Sequence, residues 1–107
     1  HRVELEEIEF HTRAFCGDQQ VIAVVHTSGA GAYYILLFIE SKKEIRKGLE
    51  EYLRKQLPVY MIPKATVTVD VFPLNSNGKT DRKAVLRNYL QQVERDSLLA
   101  KNLSRGK

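Results

Sequence analysis

The stretch Asn75-Ser76-Asn77-Gly78-Lys79-Thr80-Asp81-Arg82-Lys83 holds the residue types most able to do chemistry in this chain. A lysine is a mobile point charge suited to anionic oxygens. Gly78 lets the backbone approach a ligand closely, and Asn77-Gly78 permits the positive φ of a tight turn. Lys79 is thereby set at a loop tip directly before a helix. Gly78-Lys79-Thr80 also matches the end of a phosphate-binding P-loop, but that motif needs a glycine where Pro73 stands and is excluded. Read alone, an Asn-Gly-Lys triplet is more often a hairpin-like turn with a solvated lysine. Cys16 is the single cysteine, and His1, His11 and His26 show no metal-ligand spacing, so no metal site is expected. No Ser–His–Asp constellation can be argued from spacing.

The elements that must position Lys79 follow from periodicity. Residues 4–15 read as a helix with Leu5, Ile8 and Thr12 on one face, ended by Gly17-Asp18. Val21–His26 is a β-branched strand, Thr27–Gly31 a turn, and Ala32–Ile39 a second strand antiparallel to the first. Ser41-Lys42-Lys43-Glu44 fits a capping box opening a helix. Ile45, Leu49, Tyr52, Leu53 and Gln56 lie on its face, with Lys47/Glu51 and Glu50/Arg54 as i,i+4 pairs. Gly48 weakens that helix and Pro58 stops it. Val59–Pro63, bracketed by prolines, is extended or turning, with Tyr60 and Met61 expected against the sheet. Thr66–Phe72 alternates as a half-buried strand, with Val67, Val69 and Val71 facing one way. Thr80 can cap a last helix that has Asp81 in its first turn and buries Val85, Leu86, Tyr89, Leu90 and Val93. From about Glu94 the pattern decays. The expected fold is a small two-layer α+β domain, about three strands packed with three helices, over residues 1–93, followed by a polar tail or linker at 94–107.

Leu57-Pro58-Val59-Tyr60-Met61-Ile62-Pro63 resembles the ninth core motif of the adenylation domains of nonribosomal peptide synthetases. Asn77-Gly78-Lys79-Thr80-Asp81-Arg82 resembles the tenth. Arg2-Val3-Glu4-Leu5-Glu6-Glu7-Ile8-Glu9 resembles the end of the eighth, where the family usually reads Arg-Ile-Glu-Leu-Gly-Glu-Ile-Glu; Glu6 replaces its glycine. The three motifs stand in family order, and the resemblance spans residues 1 to about 92. The form Asn-Gly-Lys-x-Asp-Arg favours peptide synthetases over acyl-CoA synthetases and luciferases.

The resemblance implies the C-terminal lid subdomain of an acyl-adenylate-forming enzyme. Such enzymes activate an amino acid with ATP and Mg²⁺, bound mainly by a large N-terminal subdomain. They then pass the acyl group to the phosphopantetheine of a peptidyl carrier protein. By the same resemblance Lys79 is the catalytic lysine, with Asn77 and Gly78 shaping its loop. Arg2 and Glu4 either border the carrier-arm channel or have a structural role on the hinge side, and Tyr60, Pro63, Asp81 and Arg82 are structural. The isolated chain is expected to be inactive, and no function attaches to Cys16.

Composition agrees with one globular domain: 107 residues, 43% hydrophobic and 28% charged. The net charge of +4 permits phosphate partners without demanding them. The competing reading is a small basic module for nucleic acid or an acidic protein. Against it, Glu44, Glu50 and Glu51 interleave with the bases of residues 42–55, which marks a solvated face. No nucleic-acid partner is therefore expected, and no membrane partner, since the longest apolar run, Tyr33–Ile39, falls far short of the roughly 20 residues of a membrane helix. The acidic start lacks a signal peptide's apolar stretch, and one unpaired cysteine fits a reducing, cytoplasmic setting. A first residue other than Met suggests a piece of something longer.

Overall fold

The computed structural model describes residues 2–44 and 47–105. Helix α1 (Leu5–Cys16) opens with Glu6 and Glu7 and closes with Arg13, the charge order that suits a helix dipole. Its end is set by Gly17 at φ 84°, whose N–H donates to the Arg13 carbonyl at 2.8 Å. Ile8, Glu9 and Thr12 form its buried face, and the Thr12 hydroxyl donates to the Ile8 carbonyl at 2.7 Å.

Strands β1 (Val21–Thr27) and β2 (Tyr33–Glu40) pair antiparallel, Val21 opposite Ile39 through Thr27 opposite Tyr33. Helix α2 (Leu49–Gln56) and a 3-10 turn at Val59–Met61 lead to β3 (Ala65–Val69), which runs parallel to β2, Leu36 opposite Ala65. A parallel pair needs such a crossover. In the order β1-β2-β3 the middle strand is β2, and its residues Ile35–Ile39 are all buried. This explains why β2 reads as a continuous apolar run rather than an alternating one. One core gathers Val21, Ala23, Ile35, Leu37 and Ile39 from the sheet with Ile8, Leu49, Leu53, Leu57 and Met61. Three helices and a three-stranded sheet make the expected α+β fold.

The structure corrects the expected helix start in this first unit, which runs to Val71. The capping box does not form. Ser41 Oγ accepts from the Lys43 N–H at 3.1 Å and donates to its carbonyl, closing a local turn. Glu44 Oε1 instead accepts from the Thr68 hydroxyl on β3 at 3.3 Å. The helix begins only after Gly48, whose φ of 82° is left-handed and breaks helical continuity. Lys47 therefore lies outside the helix, while Glu50 and Arg54 do pair, at 2.7 Å; Ile45 falls outside the described residues. β3 also ends early, at Val69, because β2 offers no partner beyond Glu40. Val71 is left exposed, and all five residues of β3 are half-buried rather than alternating.

The second unit begins at Phe72. It holds a loop closed by an antiparallel bridge between Leu74 and Thr80, then helix α3 (Arg82–Arg105). Phe72, Ala84 and Val85 are buried, whereas Val93, expected on the buried face, is exposed. The helix continues through the segment that reads as a polar tail, with every residue from Gln91 to Leu103 exposed. Side-chain bonds one turn apart, Gln92 to Asp96 at 2.9 Å and Arg95 to Gln92 at 3.1 Å, run along this solvated stretch.

Candidate active site

Lys79 sits at the rim of the short loop that Leu74 and Thr80 close. Gly78 takes φ 80° and is the one loop residue with positive φ; Asn77 does not share the left-handed turn. The Gly78 N–H donates to the Asn75 carbonyl at 3.0 Å, and the Asn75 N–H to the Lys79 carbonyl at 2.8 Å. This is the bonding of a three-residue hairpin loop ending in a left-handed glycine. The Asn75 side-chain oxygen accepts twice, from the Asn77 N–H at 2.8 Å and the Lys79 N–H at 3.1 Å. Both backbone groups of Lys79 are thus held by one residue. Its side chain is exposed, and among the described residues its ammonium has no ion-pair partner. The loop presents a fixed Cα and a free cation, an arrangement able to meet an anionic oxygen.

Asp81, not Thr80, caps α3. Its Oδ1 accepts from the Ala84 N–H at 3.0 Å, and its own N–H donates to the Pro73 carbonyl at 2.8 Å. Thr80 is committed to the bridge with Leu74, which leaves the capping position to its neighbour. Arg82 is the first residue of α3 and is exposed.

The remaining motif residues belong to the first unit. Arg2 and Glu4 form an ion pair with each other at 2.8 Å, well exposed, worth at most about 1 kcal/mol to stability. Glu6, in the place of the usual glycine, lies in the first turn of α1. Met61 is buried in the core as expected, but Tyr60 is half in solvent. It lines a cleft of about 180 Å³ with Val3, Tyr33, Tyr34, Ile62 and Lys64. There the Lys64 ammonium lies 4.4 Å from the centre of the Tyr34 ring, whose edge meets His26. Pro63 is half-buried and lines a second groove with Glu44, Lys47, Glu50 and Lys64.

Two residues escaped the sequence reading. Asn75 organises the lysine loop; the signal was an asparagine two and four residues before the amides it binds. Glu9, last of the eighth-motif residues, is 6% exposed and accepts from the Ala23 N–H of β1 at 2.9 Å. A charged residue beside Ile8 on the buried face of α1 gave no sign of that long-range bond. Burial also pushes the Cys16 thiol pKa above its usual value.

This architecture recurs in solved synthetases. A fatty acyl-CoA synthetase of Mycobacterium tuberculosis matches 83% of the chain with a TM-score of 0.70 at 19% identity, over 18% of its own length. A four-domain nonribosomal peptide synthetase, solved in its holo form with AMP and glycine, matches 78% with a TM-score of 0.69 at 33% identity, over 6% of its length. No family model matches the chain. Tyrocidine synthase 3 of Brevibacillus parabrevis is 39% identical over 87 residues, 79% of this chain and 1% of that protein. Surfactin synthase subunit 3 of Bacillus subtilis is 27% identical over 103 residues, 95% of this chain and 8% of its own. The chain thus spans a few per cent of the long relatives it matches. It belongs to the nonribosomal peptide synthetase family, in which it is the C-terminal region of an adenylation domain.

Proposed function

We propose that this chain is the lid of an amino-acid-activating adenylation domain and that Lys79 supplies its catalytic charge. The lid proper is residues 1–93, with 94–107 a polar extension. The observation that carries the reading is the lysine loop: a cation with its backbone pinned at both sides, a free ammonium, and the sequence context of the tenth motif. An amino-acid carboxylate and the α-phosphate of ATP repel each other. An ammonium between them offsets that repulsion and stabilises charge that grows in the transition state. A protonated lysine has no lone pair for a metal, and by the family resemblance magnesium and most ATP contacts fall to the large N-terminal subdomain. A swinging lid then withdraws Lys79 and brings the Arg2–Glu4 segment toward the carrier's phosphopantetheine, a gating role common to mobile lids.

The test is amino-acid-dependent ATP–pyrophosphate exchange by the large subdomain, alone, with the native chain, and with the Lys79→Ala chain. Exchange should depend on the native chain. It should fall about 10²–10³-fold with the alanine chain, the usual cost of removing one preorganised charge-stabilising group. The chain alone should give none. Equal exchange with both chains would remove Lys79 from the chemistry.

A further inference from the structure

We infer that Asn75 is a positioning residue for Lys79, setting the direction in which the ammonium is delivered. The inference rests on the reading of Lys79 as the catalytic lysine. Within the loop, Asn75 contributes three different groups. Its N–H bonds the Lys79 carbonyl and its carbonyl accepts from Gly78, and these two bonds persist with almost any side chain. The third group is its side-chain oxygen, which alone holds the amides of Asn77 and Lys79, at 2.8 and 3.1 Å.

Those amides lie on exposed residues, so water can take over the bonds when the side chain is removed. The loop then keeps its bridge and its glycine turn. It loses the tie that fixes the peptide plane preceding the Lys79 Cα, and hence the direction of the Cα–Cβ bond. A lysine side chain magnifies that freedom, because its charge lies four carbons further out. The rate of a reaction that needs a charge at one place is sensitive to such displacement, with about 10²-fold lost for a misplacement near 1 Å. Substrate binding, which this loop does not dominate, is not.

The prediction is therefore a split between kcat and KM. It is measured by exchange kinetics in the intact adenylation domain, this chain joined to its large subdomain. Asn75→Ala should lower kcat roughly 10- to 100-fold, with KM for ATP and the amino acid within about threefold, as for an interaction realised in the transition state. Asn75→Ser should recover part of the rate, since a hydroxyl oxygen can accept from the same amides more weakly. Asn75→Ala combined with Lys79→Ala should be no slower than Lys79→Ala alone, because a positioning residue has nothing to position once the lysine is gone.

Three results would overturn the inference. Asn75→Ala within twofold of native while Lys79→Ala collapses removes Asn75 and leaves the lysine reading standing. A loss from Asn75→Ala that persists undiminished in the Lys79→Ala background assigns Asn75 to the fold. Native rates for Lys79→Ala sink the lysine reading and, with it, this one. If Asn75→Ala does not fold, the serine variant carries the same kcat–KM comparison.

Discussion

Replacing Glu9 tests what its buried hydrogen bond to the sheet contributes to the fold. The residue is 6% exposed, and its carboxylate accepts from the Ala23 N–H at 2.9 Å, an amide on β1 at the edge of the described sheet. Glu9→Ala removes the acceptor of this buried hydrogen bond, which costs about 1–3 kcal/mol, and vacates space on the buried face of α1. Because space is also vacated, the loss falls in the upper part of that range, about 2–3 kcal/mol. For a domain near this size each kcal/mol moves the melting temperature by about 4–8 °C, so Glu9→Ala should melt roughly 8–24 °C lower. Glu9→Gln keeps a carbonyl acceptor of the same reach for the Ala23 N–H and gives up the charge assistance of that bond. A loss of about 1 kcal/mol, or about 5 °C, is expected. Thermal unfolding followed by circular dichroism measures both. Equal losses for glutamine and alanine, or an alanine variant within about 4 °C of native, would refute the idea that an accepted hydrogen bond explains this buried carboxylate. If Glu9→Gln melts as expected yet acyl transfer to the carrier is lost, Glu9 has a part in the chemistry that its burial conceals.

Gly48→Ala should destabilise by about 1–2 kcal/mol through its left-handed φ of 82°, with the Phe15 ring 3.5 Å from the new methyl, and should lower the denaturation midpoint. Asp81→Ala should cost about 1 kcal/mol as a lost helix cap, visible in the melting temperature, and Asp81→Asn should recover most of it. Cys16 should alkylate more slowly than a small-molecule thiol at pH 8. Its raised pKa leaves less thiolate at a given pH, and the difference should shrink as pH rises through that higher value; a rate equal to the free thiol at pH 8 would contradict the burial.

Much of this molecule is written in local pattern. The strands over 21–27 and 33–40, the first helix and its stop at Gly17, and the turn at Gly78 follow from residue types within a few positions of one another. So does the likeness of three short motifs to one enzyme family, because motifs are contiguous. What the sequence could not determine were the choices made between distant residues. Ser41 and Glu44 match a helix start, yet Thr68 from β3 takes the glutamate and Gly48 turns left-handed, so the helix opens later. The parallel pairing of β3 on β2, and its end at Val69, depend on where β2 stops rather than on the valines of β3. Thr80 and Asp81 are equally plausible caps by type; the bridge to Leu74 decides between them. The tie from Asn75 to Lys79, though local, needs a side-chain direction that a list of turn-forming residues does not contain. Glu9 is the extreme case. Its bond to Ala23 spans two elements and exists only once helix and sheet have packed, where low dielectric makes an unpaired amide costly and an accepting carboxylate valuable.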